Sequence, residues 1–250
     1  MKTPAQRHYE RVSAASTAAA AAPGESLAGA SRYELMLAKL ATDRRRLKSL
    51  QSVERKIVVK REVLPEYADY VAGALQGGRG AQDDVLVTIM VWRIDVGDYA
   101  GALDIATYAL QHGLTLPDQY SRTLGTVIAE EFAEAALIAL KATQEFDVEQ
   151  LFKVDKLTQA QDMPDEVRAK LFKAIGYALD RYPTMALPYL RRAVELHDRI
   201  GVKKDIDRLE KAVNAAIEAA GKLPAGDSAG SSAPGTEDPA AAAEASAGST

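Results

Sequence analysis

Eight lysine and arginine side chains between positions 44 and 61 carry the densest chemistry in this sequence. Arg44-Arg45-Arg46-Leu47-Lys48 is followed by Arg55-Lys56 and then Lys60-Arg61. Cations at this density neutralise the phosphates of a polyanion, with an affinity that falls steeply as salt rises. On a helix, three consecutive arginines fan over about 200° of surface, so they cannot all face one groove, although two can meet one backbone. The plainer reading is a solvated helix face, or a set of partners for acids elsewhere in an oligomer. No zinc-finger spacing and no RNA-recognition aromatic signature accompanies the run. A helix-turn-helix fits within residues 31–76 but nothing in the sequence requires one.

A second candidate is Gly77-Gly78-Arg79-Gly80-Ala81-Gln82-Asp83-Asp84. A glycine-rich loop before a helix N-terminus can cradle a phosphate, yet this one lacks the Lys-Ser/Thr ending of a P-loop. Asp83 and Asp84 have two readings. They cap and charge the first turn of the next helix. Alternatively, their hard oxygens hold Mg²⁺ in a nuclease, with Asp95, Asp98 and Asp104 as downstream partners. His8, His112 and His197 are scattered without metal-ligand spacing. Trp92, inside an apolar run, reads as a core anchor rather than a platform for stacking bases.

The background to these residues is uneven. Residues 1–61 hold 13 of the 31 Lys/Arg and 5 of the 35 Asp/Glu, so the remainder is acidic and the whole chain is −4. A mildly acidic protein with a basic N-terminal part is polarised toward a polyanionic partner. There are no cysteines, so disulfides, thiolate zinc sites and cysteine nucleophiles are excluded. No run reaches the roughly 18 apolar residues of a membrane helix, and the expected setting is soluble and intracellular.

The elements that must position these groups read as all-α. Four regions are expected: a mobile arm at 1–30, a basic helical region at 31–96, a helical-hairpin domain at 97–220 and a disordered low-complexity tail at 221–250. One long basic helix is expected from Ser31 to Arg61, capped by Ser31 with Glu34 completing a capping box. Pro65 ends it or opens a helix over about 65–76. Further helices are expected near 81–96, 99–111 (capped by Asp98), 124–142, 145–153, from Asp162–Glu166 to about 180, 184–199 and 203–220. The segments after Gly97 and Tyr182 rhyme in their small and leucine positions, which suggests tetratricopeptide-like hairpin packing without a regular repeat.

Several blocks resemble a known family. They are Pro4-Ala5-Gln6-Arg7-His8 with Arg11-Val12-Ser13-Ala14, the Tyr33–Leu40 helix, Gly80-Ala81-Gln82-Asp83-Asp84 and Trp92–Asp98. Gly101-Ala102-Leu103 with Tyr108-Ala109-Leu110, Asp162–Lys170 and Gly201-Val202-Lys203-Lys204 complete the set. In this order they are similar to the small terminase subunit of peduovirus-type temperate phages, a family described as the terminase endonuclease subunit. The resemblance covers about residues 3–215. It implies a homo-oligomeric ring that binds double-stranded phage DNA at the cohesive-end site in the host cytoplasm. With a large ATPase subunit it would support cleavage and packaging into procapsids. No catalytic residue comes with the resemblance; Asp83 and Asp84 remain the candidates, with Mg²⁺ as cofactor if the chain cuts. Arg44, Arg45, Arg46, Lys48, Arg55, Lys56, Lys60 and Arg61 are the expected DNA contacts. A helical adaptor that binds only proteins is the alternative.

Overall fold

The computed structural model describes residues 2–117 and 121–221. Ten α-helices make up the fold, and no strand occurs among the described residues; one isolated bridge joins Ser26 to Gln82. The all-α expectation holds. The residues expected to form the C-terminal tail lie outside the described residues beyond 221.

The first helix, α1 (Pro4–Ala20), occupies a segment expected to be a mobile arm. Its start is built by Thr3, whose hydroxyl accepts from the Gln6 N–H at 3.2 Å while the Gln6 side chain accepts from the Thr3 N–H at 2.8 Å. Pro4 sits at the first helical position, where its missing N–H costs nothing. α1 packs chiefly on α3 (Val53–Gly77). The approach is close because Gly73 and Gly77 present no side chain: a Cβ on Gly73 would lie 2.3 Å from the Arg11 carbonyl oxygen, and one on Gly77 2.4 Å from that of Ala15. Beside this seam Asp69 is buried, with Arg7 Nε at 3.3 Å and an Arg11 guanidinium nitrogen at 3.6 Å.

The single long basic helix is corrected. α2 (Ser31–Lys48) and α3 are separate helices, joined by a short turn over 49–52. Ser49 closes α2, and Ser52 caps α3 by accepting from the Arg55 N–H at 3.3 Å. Ala30, not Ser31, is the N-cap of α2, and Glu34 instead accepts from the Gly29 N–H at 3.0 Å. Pro65 neither ends nor opens a helix; it lies inside α3 on an exposed face, where water can satisfy the carbonyl it strands.

The centre of the molecule is α4 (Asp84–Val96), apolar all round, with Val85, Leu86, Ile89 and Met90 fully buried. A helix of this kind must be covered on every side. α2, α3, α5 (Tyr99–Gln111) and α6 (Leu124–Lys141) supply that cover. Gly97, at φ 85°, turns the chain from α4 into α5, and Asp98 caps α5 through the Gly101 N–H at 3.1 Å. α7 (Val148–Thr158) packs on α5 and α6, and α8 (Asp165–Ala178) packs on α6 and α9 (Pro183–Leu196). α10 (Lys203–Gly221) packs on α9. The expected hairpins are α4–α5 and α8–α9. They are separated by α6 and α7, so the fold does not present them as successive repeats. The start of α8 also differs from expectation. Pro164 stands at the N-cap, and neither it nor Asp162 gives a side-chain cap. Arg168 instead reaches back to the Thr158 and Gln161 carbonyls, at 2.7 and 3.1 Å, and closes α7.

Thr143, after α6, is the one non-glycine residue with positive φ (59°) among those described. A β-branched side chain is strained there, whereas asparagine tolerates that region. Thr143→Asn is expected to stabilise the fold by up to about 1 kcal/mol, read as a higher urea midpoint with an unchanged slope.

Candidate nucleic-acid interface

The turn between α2 and α3 folds two basic helix faces toward each other over α4. Arg44, Leu47 and Lys48 share one face of α2 by their three- and four-residue spacing, as do Lys56 and Lys60 on α3. Together with Thr88 and Trp92 of α4 they line a groove of about 300 Å³. Four cations therefore come from two helices, and no carboxylate lines the groove.

Each cation is held differently. Arg44 donates to the Thr88 hydroxyl at 2.6 Å. That hydroxyl in turn donates to the Asp84 carbonyl at 2.7 Å, so both of its roles are used and the guanidinium is fixed. Lys60 is paired with Asp95 at the groove edge. Lys48 is exposed, and Lys56 is half-buried. Trp92 is 5% exposed and meets Tyr67 edge-on, with ring centroids 6.2 Å apart, so it is a core residue that also forms the groove floor.

The other expected contacts point elsewhere. Arg46 is paired with Glu62 at 2.7 Å. Arg45 is exposed and donates to Thr42 at 3.1 Å, and Arg61 reaches the Val96 carbonyl at 3.4 Å. Arg55 is exposed near the N-terminus of α3. The arginine triplet thus sends one member into the groove and two outward, as the helical fan requires. Thr88 was not singled out by sequence. Its only signal was a hydroxyl within the apolar run of α4.

Asp83 and Asp84 do not fit a Mg²⁺ site. Asp83 is 2% exposed and its two oxygens are taken: Oδ1 accepts from the Leu86 N–H at 2.8 Å, and Oδ2 from the Tyr70 hydroxyl at 2.7 Å. Burial pushes its pKa up to about 6, against the opposing effect of these hydrogen bonds. Asp84 accepts from the Gln82 side chain at 2.9 Å. Their capping reading describes their geometry. Asp95 is bound to Lys60, Asp98 to Arg93 and the Gly101 N–H, and Asp104 is exposed on α5. A cation that keeps several waters needs open oxygens, and Asp83 offers none. Among the described residues no three His, Asp or Glu side chains are gathered as a metal site.

The glycine-rich loop is shaped by packing rather than by a ligand. A Cβ on Gly78 would lie 2.2 Å from the Tyr108 hydroxyl, and Gly80 has φ 88° with His112 against it. The Gly80 N–H donates to that same hydroxyl at 2.9 Å.

Residues 37–166 match the model of the phage small terminase subunit family. This chain belongs to that family. The "Terminase, endonuclease subunit" of Escherichia phage P2 is 50% identical over 214 residues, covering 84% of this chain and 85% of that protein. The "Probable terminase, endonuclease subunit" of Haemophilus phage HP1 (strain HP1c1) is 24% identical over 201 residues, covering 73% and 71%. No solved structure matches. The span matched by the small terminase model runs from within α2 to the start of α8 and so contains every residue that lines the groove.

Proposed function

We propose that this small terminase subunit binds double-stranded phage DNA at its cohesive-end site through the groove between α2, α3 and α4. With a large ATPase subunit it supports cleavage and packaging into procapsids in the host cytoplasm. The observation that carries the reading is the convergence of Arg44, Lys48, Lys56 and Lys60 on one groove without a lining carboxylate. Arg45, Arg46, Arg55 and Arg61 flank it as outer phosphate contacts. A homo-oligomeric ring repeats the groove, so that modest affinity per copy becomes tight binding to one duplex. The relatives' names include an endonuclease. Given the committed oxygens of Asp83, we assign this chain to recognition and leave any Mg²⁺-dependent cut to a centre completed in the complex. No helix among the described residues is long and apolar enough to cross a membrane.

A gel-shift titration against cohesive-end duplex tests the proposal. With four phosphates neutralised per copy, log affinity should fall with log salt at a slope of roughly −3.6, or about 100-fold between 50 and 200 mM. Lys48→Ala with Lys56→Ala should lower that slope by about 2 and weaken binding to all duplexes alike. No shift at the lowest salt would remove direct DNA binding and leave the protein-only adaptor. Nicked product in Mg²⁺ lanes from the purified chain alone would place the cutting centre here.

A further inference from the structure

A second groove lies between α5 and α7, away from the basic helices. Leu103, Leu110 and Leu157 form its apolar floor, Lys153 and Lys156 stand on its rim, and its volume is about 490 Å³. Both lysines are exposed, neither has an ion-pair partner among the described residues, and no carboxylate lines the groove. This is out of character for its surroundings, because residues 62–250 carry 30 acids against 18 Lys/Arg. A local excess of positive charge over a leucine floor, inside an acidic half, has the chemistry of a helix-in-groove site.

We propose that this groove docks an acidic amphipathic helix of a partner protein, its apolar residues on the three leucines and its carboxylates on Lys153 and Lys156. Nucleic acid is disfavoured as the occupant, because phosphates gain nothing from an apolar floor. On the functional reading above, on which this inference rests, the partner is the packaging ATPase.

The test is capture of the purified ATPase subunit by the full chain, with DNA gel shifts run in parallel. Lys153→Glu with Lys156→Glu alters two exposed side chains and should leave the melting temperature unchanged. It is expected to weaken ATPase capture at least tenfold and to leave the DNA shift intact. Leu110→Asp should weaken capture further, and its melting curve will report whether it folds. Capture within twofold of wild type by the double lysine variant overturns the inference while the ATPase partnership stands. Loss of the DNA shift with capture retained would also overturn it and make the groove a nucleic-acid contact. If the wild-type chain captures no ATPase, the partnership itself falls and the inference with it.

Discussion

Gly73→Leu is expected to drive α1 off α3. A Cβ at this position meets the Arg11 carbonyl oxygen at 2.3 Å and the Ala14 methyl at 2.7 Å. The first contact is backbone, which cannot rotate away, so the whole of α1 must move. The cost is the burial of Ala14 and Ala18 together with the two arginines that neutralise buried Asp69. An uncompensated buried carboxylate and an overpacked seam should together cost about 3 kcal/mol or more. The expected readout is a lower melting temperature and a new protease-sensitive site within residues 21–30. Adding Asp69→Asn should recover part of the loss, because the stranded charge is gone. An unchanged melt with no new cleavage would mean that α1 does not hold this seam in solution.

Asp83→Leu should be nearly as damaging. It removes the cap on α4 and leaves the buried Tyr70 hydroxyl without its acceptor, at an expected cost of about 2–4 kcal/mol. Asp83→Asn keeps an acceptor for the Leu86 N–H and should stay close to wild type at neutral pH. The comparison of wild type with Asp83→Asn carries a pH signature. Burial raises the folded-state pKa from 3.8 to about 6, so the folded chain holds this proton more tightly than the unfolded one. The resulting stabilisation is complete below about pH 3.8 and is lost as pH rises through about 6. Urea midpoints at pH 4.5 and 7.5 should therefore favour wild type over Asp83→Asn more strongly at the lower pH. A difference that is flat across this range would contradict the account of a buried, reluctant carboxylate.

Much of the helical body was legible from its punctuation. Asp83, Asp98 and Gly97 act as caps and stop where their types say they should, because capping depends on a few neighbouring atoms. The failures came where tertiary packing or a weak local signal decided. Residues 44–61 keep leucines at helical spacing through Leu47 and Leu50, which conceals the break at 49–52. The paired serines, Ser49 and Ser52, were its only mark. α1 is poor in large apolar residues and so looked unfolded, although Thr3, Pro4 and Gln6 spell a helix start. Its stability lies in a glycine seam some 60 residues away, which no local pattern reports. The same holds for the groove. Eight basic residues were visible as a run, but which four converge depends on the turn at 49–52 and on Thr88.

The docking of α1 on α3 also has a consequence in time. Most helix pairs in this fold are near neighbours in sequence, and local contacts of this kind favour rapid folding. α1 is the exception. It leaves the ribosome first, yet α3 is complete only 57 residues later. At ordinary synthesis speeds that is a wait of roughly 3–11 s. A 17-residue helix is marginal on its own in water. The small residues that let α1 approach Gly73 and Gly77 so closely also leave it little sticky surface to show during that interval. The first helix to be made is thus suited to being one that waits for its partner.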